Sequence, residues 1–349
     1  MWSEILLNYG IFILEVITLL LIVVGIFALI VALRHKNNNS HATLKITNLA
    51  EQQQEHQDKL SDFRLSEIAL KQKEKARKAK EKAEQKAQKA KYKHDNTALQ
   101  PSKPCLYVLN FKGDLAASQA EALAQSINAV IACANTDDEV LLRLESPGGL
   151  VHAYGYASSQ LNRLKQHGIK LTVAVDKVAA SGGYMMACVA DKIVAAPFAV
   201  IGSVGVVAQI PNIHRLLKKH DVDVEVMTAG EYKRTMTVLG ENTDKDREKF
   251  QQELNETHQL FKDFVVQHRP HLAIDNVATG EHWFGQQALT LGLVDELATS
   301  DDIILNAMKE KDVLEVRFNE KKSLLQKIGK QAEMGTESVL HRLLNRTLS

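Results

Sequence analysis

The order of apolar and polar positions divides the chain into four stretches. Residues 11–33, IFILEVITLLLIVVGIFALIVAL, are apolar all round, with one charge at Glu15. A helix of that length and composition crosses a bilayer, and Trp2 and Tyr9 are placed for its interface. A cleaved leader fits less well, because no basic residue precedes the run and no small-residue cleavage pattern follows it. Residues 1–36 are therefore predicted to form a membrane anchor. Polar residues dominate 37–103, which ends in KQKEKARKAKEKAEQKAQKAKYK, strong helix formers without an apolar seam. That predicts a solvated stalk, helical or disordered; a polybasic contact with anionic lipid is the sharper alternative.

From Pro104 the pattern changes. CLYVLNFKG, EVLLRLESPGG and IKLTVAVDKV read as strands, and AASQAEALAQSINAVIACA and LVHAYGYASSQLNRLKQHG between them have helical spacing. GYMMACVA is a further helix, KIVAAPFAVIGSVGVVAQI is strand-like, NIHRLLKKH is a short helix and DVEVMTAG a strand. DREKFQQELNETHQLFKDFVVQHRP is a long helix ended by Pro270. Strands alternating with helices predict an α/β domain over 104–312. The tail, 313–349, carries a strand and then SVLHRLLNRTL, whose Val339, Leu340, Leu343, Leu344 and Leu348 share one helical face.

Composition changes this picture mainly by exclusion. The 349 residues carry a formal net charge of +1, which argues against a general nucleic-acid binder. Cys105, Cys133 and Cys188 are far apart and form no CxxC pair, and the 13 histidines show no metal-binding spacing. Neither a metal nor a cofactor is expected. Charge is informative locally: no Lys or Arg precedes the anchor, whereas Arg34 and Lys36 follow it directly. The positive-inside rule then places the rest of the chain in the cytoplasm.

Candidate chemistry lies at two strand-to-helix turns, SPGG at 146–149 and SGG at 181–183. In α/β sheets such turns converge at the carboxyl ends of the strands. A helix start beside Ser181 presents unpaired amides and positive dipole charge, which suits an oxyanion and equally an ordinary N-cap. One amide from each turn would form an oxyanion hole. The GxGxxG, Walker and GxSxG patterns are absent. A serine nucleophile needs a base. His152, His167 and His214 look like helix-surface residues, and Lys233 in TAGEYKRTMTVLG is the more suggestive candidate. A lysine serves as base when burial among apolar groups weakens its hold on the proton; the plainer alternative is an exposed loop lysine.

LESPGG, DKVAASGGYMMA, IGSVGVV, GEYKRT and FGQQALTLGLVDE occur in this order. Together they resemble the signal peptide peptidase A family of serine–lysine peptidases, and the anchor, basic stalk and layout are most similar to its SohB branch. The resemblance covers essentially the whole chain, most specifically 140–297. It implies that Ser181 is the nucleophile, that Lys233 is the general base and that Ser203 orients the lysine. It assigns an oxyanion-hole amide to Gly148 or Gly149, with Gly182 the physical candidate for the second donor. It also implies a spiral domain of the Clp protease and crotonase type, and homo-oligomers whose serine and lysine come from adjacent subunits. The implied activity is endopeptidase cleavage of remnant signal peptides or other membrane-derived segments, at a bacterial inner membrane. Glu145 stands where many members have Asp, a departure expected to be structural. The better-known members work on the outer, periplasmic face, against the charge rule here. A crotonase-like acyl-CoA enzyme and an inactive membrane-tethered scaffold are the rival readings.

Overall fold

The computed structural model describes residues 43–66 and 103–319, with isolated helical residues between 17 and 20 and between 68 and 86. The apolar run 11–33, apart from three helical positions, and the amphipathic stretch 339–348 lie outside the described residues. Among the described residues no helix is long and apolar enough to cross a membrane.

The elements follow the α/β alternation. In chain order they are β1 (Thr43–Asn48), α1 (Leu49–Asp62), β2 (Cys105–Lys112), α2 (Ala120–Cys133), β3 (Glu139–Glu145), α3 (Val151–Gln166), β4 (Lys170–Val175) and β5 (Val178–Ala180). There follow α4 (Gly182–Ala187), β6 (Lys192–Ala195), β7 (Val200–Gly202), α5 (His214–Lys219), α6 (Asp244–His268), α7 (Ile274–Val277), β8 (His282–Phe284), α8 (Gly285–Thr290), β9 (Glu296–Leu297), α9 (Ser300–Ala307) and β10 (Asp312–Asn319).

A seven-stranded sheet has the order β1-β10-β2-β3-β4-β6-β9, and its pairings from β10 through β9 are parallel. A second sheet has the order β5-β7-β8, with β5 parallel and β8 antiparallel to β7. The main sheet is covered on both faces, which is why its inner strands read as apolar runs rather than as alternation. Leu109, Phe111, Leu142, Leu144 and Val173 pack against α2 and α3. Those helices offer Leu123, Ile127 and Val130, and Tyr154, Ala157, Leu161 and Leu164, at helical spacing. On the other face Leu106, Val108, Leu141, Ala174 and Val313 meet Ile304 of α9, with Leu49 at the start of α1 beside them.

The structure departs from the sequence reading in three places. Residues 43–62, within the polar stretch read as stalk, form β1 and α1, and β1 lies beside β10 in the sheet. The strand read as part of the tail sits between β1 and β2, with Asp312 opposite Cys105. DVEVMTAG forms no strand. A strand needs a ladder partner, and this segment lies on the surface with Val226 and Met227 exposed.

Candidate active site

Ser181 follows β5 and stands immediately before α4, with φ 51 and ψ −120. That is the first central position of a type II′ turn, normally occupied by glycine. Holding a serine there costs about 1–3 kcal/mol. The surroundings enforce it: the Ser181 amide donates to Gly202 O at 2.8 Å, and its carbonyl accepts from the Met185 amide at 3.0 Å. Its side chain does not cap α4. The strained turn aims a hydroxyl that has no hydrogen-bond partner among the described residues, so the plain N-cap reading of this serine is set aside.

The SPGG turn lies directly against it. Ser146 extends β3 through a parallel bridge to Ala179, with its amide on Val178 O and its carbonyl accepting from the Ala180 amide. Gly148 has φ 93, and a Cβ there would stand 2.7 Å from Ser181 Cβ and 2.8 Å from the Gly182 nitrogen. Only glycine fits both the dihedral and the space. The Gly148 amide donates to Ser146 Oγ at 3.1 Å. Of the two glycines expected to share that role, Gly148 has its amide engaged, whereas the amides of Gly149 and Gly182 meet no acceptor among the described residues. Gly149 is fixed by Leu115, whose carbonyl would lie 2.2 Å from an added Cβ and accepts from the Leu150 amide.

Ser203 follows β7 at φ 51, and its amide donates to Glu281 O at 2.7 Å. It is joined to Ser181 through the Gly202 carbonyl. The Glu145 carboxylate spans Lys112 at 2.9 Å and Lys177 at 3.0 Å, which hold it below the usual carboxylate range.

Lys233 lies in the irregular stretch between α5 and α6, and its side chain is exposed. Within one chain no hydrogen bond joins it to Ser181 or Ser203; its exposure matches the plainer of the two sequence readings, and the contact with Ser203 that the resemblance implies is not made. The loop is nevertheless well held. Asn212 Nδ2 donates to Thr237 O and Gly240 O at 2.9 Å each, and Asn242 pairs with both backbone groups of Thr237 at 2.8 and 3.0 Å. Glu231 meets Lys245 of α6 at 2.7 Å, and the Tyr232 ring lies under the ammonium groups of Lys245 and Lys249 at 5.9 and 5.2 Å. α6 itself starts with a capping box between Thr243 and Asp246, worth about 1 kcal/mol. These anchors were not singled out from the sequence, where scattered asparagines carry no periodic signal.

Behind α4, Arg269 clamps Asp295 with two bonds of 2.8 and 2.6 Å, and Tyr184 donates to Leu293 O at 3.0 Å. Among the described residues no cluster of His, Cys, Asp or Glu is arranged to hold a metal ion.

A parallel α/β domain with a strained, unbonded serine at a helix start, packed on a glycine turn, has the makings of a serine hydrolase. Sequence comparison makes the class specific. The profile of peptidase family S49 matches residues 163–314, and that of the S49 N-terminal region matches 4–161. The chain is 63% identical over 342 residues to the "Probable protease SohB" of Haemophilus influenzae, covering 98% of this chain and 97% of that one. It is 48% identical over 340 residues to the protein of the same description from Buchnera aphidicola of Acyrthosiphon pisum, covering 97% and 96%. The solved 1510-N membrane-bound stomatin-specific protease, a lysine-to-alanine mutant in complex with a substrate peptide, aligns with a TM-score of 0.44 at 14% identity, covering 65% of this chain and 99% of that one. The chain belongs to peptidase family S49 and is a serine protease of that family, in which a Ser/Lys dyad is typical.

Proposed function

We propose that this protein is a membrane-anchored endopeptidase in which Ser181 is the nucleophile and Lys233 the general base. The observation that carries the reading is the backbone of Ser181, forced into a glycine conformation with its hydroxyl unbonded and Gly148 against its Cβ. Ser181 Oγ attacks the scissile carbonyl while a neutral Lys233 takes its proton. The amides of Gly149 and Gly182 stabilise the oxyanion. Lys233 then gives the proton to the leaving amine, and water hydrolyses the acyl-enzyme. Ser203, tied to the same backbone as Ser181, orients the lysine. The small sheet β5-β7-β8 beside the main one is consistent with a spiral of the Clp and crotonase type.

The lysine reaches the serine of an adjacent copy. The exposed Lys233, and the β-patterned segment 223–230 without a ladder partner among the described residues, support an interface that one chain does not complete. Leu115, Leu150 and Val151, exposed beside the Gly149 turn, favour apolar peptide segments such as remnant signal peptides or membrane-derived stretches. Residues 11–33 anchor the protein in the inner membrane, and Arg34 and Lys36 place the protease domain in the cytoplasm. Alkaline phosphatase activity from a reporter fused after Ser349 would put it on the other side.

Casein digestion by the detergent-solubilised full chain tests the catalytic assignment. Ser181→Ala and Lys233→Ala should each abolish it with unchanged circular dichroism; activity in Ser181→Ala above that of a protein-free blank would remove the nucleophile.

A further inference from the structure

Beneath the site runs a chain of buried hydroxyls. The Gly148 amide donates to Ser146 Oγ at 3.1 Å, Ser146 Oγ lies 2.6 Å from Tyr154 Oη, and Tyr154 Oη donates to the carbonyl of Asp114 at 2.9 Å. Proton counting fixes the direction. A carbonyl oxygen has no proton to give, so the single phenolic proton points to Asp114. Ser146 must then donate to Tyr154, which leaves its lone pairs to accept the Gly148 amide. Ser146 and Tyr154 are both 0% exposed, so no water replaces a lost member. Burial, foremost, raises the phenol's pKa above its ordinary value, so it stays protonated at neutral pH.

The ring of the same tyrosine reaches the other half of the site. A Cβ on Gly182 would stand 2.5 Å from Tyr154 Cγ and 2.8 Å from Cδ2, so the ring lies flush against the backbone that follows Ser181. Phe111 braces the ring edge-on, with centroids 6.3 Å apart. One side chain thus packs on the Gly182 backbone directly and reaches the Gly148 backbone through Ser146. Its hydroxyl holds the Gly148 amide through Ser146, and the amide that follows, that of Gly149, meets no acceptor among the described residues. Its ring sets how far Gly182 can retreat.

We propose that Tyr154 is a positioning residue of the oxyanion hole, acting on Gly149 through Ser146 and on Gly182 by direct packing. The proposal rests on the reading of Ser181 as nucleophile. Tyr154 touches no substrate; it sets the geometry that the transition state meets.

The test uses Tyr154→Phe, which keeps the ring and deletes the hydroxyl, and Ser146→Ala, which breaks the same chain one step earlier. Activity is expressed per reactive serine, titrated with a fluorophosphonate, so that loss of folded protein is divided out. A peptide aldehyde places its hemiacetal oxygen in the hole, whereas the cleaved product peptide does not. Each variant should lose about 10- to 100-fold in kcat, with KM and product affinity within about twofold and aldehyde affinity weakened in parallel with kcat. The double variant should be little worse than either single, because the hydroxyls act as one unit. Wild-type kcat in Tyr154→Phe, or a fall in kcat with undiminished aldehyde affinity, overturns the proposal; if one variant does not fold, the other decides by the same criteria. Ser181→Ala runs in the same assay: activity there strikes the nucleophile reading, whereas an inert Ser181→Ala beside a fully active Tyr154→Phe strikes only this inference.

Discussion

The amide of Ser181 and the carbonyl of Gly202 are joined by a 2.8 Å hydrogen bond, and the next residue, Ser203, shares the positive φ of Ser181. The two serines are therefore presented by one backbone unit, β5 paired with β7. Ser203 makes no side-chain hydrogen bond among the described residues, which leaves its hydroxyl open to the role proposed for it. Ser203→Ala should lower kcat about tenfold, the equivalent of one hydrogen bond, while Tm stays within about a degree. An unchanged kcat and pH profile would remove its role.

Gly148→Ala is expected to be far more severe. Its φ of 93 and the 2.7 Å approach to Ser181 Cβ leave no room for a methyl group. The turn must shift, and the loss should exceed about 100-fold in kcat, with circular dichroism showing a folded protein. Near-normal turnover would mean that this turn does not shape the site.

The fold and the site were legible to different degrees. β2, β3, β4 and the helices between them were plain because strands buried on both faces, and helices with one apolar face, leave a local pattern. β1 left none: TLKITN is short and exposed, and its place in the sheet depends on β10, which comes from the other end of the chain. DVEVMTAG shows the reverse, a strand pattern with no partner strand among the described residues. Ser181 and its glycines were visible as glycine-rich strand-to-helix turns, but only five motifs in family order set the serine above an ordinary N-cap. Tyr154 did not stand out, because a tyrosine at helical spacing reads as core until its hydroxyl is seen to reach Ser146 and Asp114.

Acid stability should depend on the clamp behind α4. Burial pulls the Asp295 carboxyl upward, but Arg269 and the Ile193 amide outweigh it and hold it below its ordinary 3.8. A group with a depressed folded pKa contributes stability that is fully present above its unfolded value and is lost as pH falls through the folded one. Asp295→Asn should therefore cost about 2 kcal/mol at neutral pH and progressively less below pH ~3.8. Thermal unfolding across that range checks it; a penalty that does not change with pH would contradict the assignment.

Assembly is open to a mixing experiment. Ser181→Ala subunits still carry Lys233, and Lys233→Ala subunits still carry Ser181. Co-expressed in one membrane, they should regain part of the wild-type activity at mixed interfaces. A co-purified hetero-oligomer with no recovered hydrolysis would place both groups of the dyad in one chain.

The most direct test of the central claim is the site of covalent reaction. Full-length protein treated with a fluorophosphonate, digested and analysed by mass spectrometry should carry the adduct on Ser181. Labelling should be slowed at least about 100-fold in Lys233→Ala, because the hydroxyl then lacks its base. An adduct on another serine, or equal labelling of Ser181 without Lys233, would contradict the account.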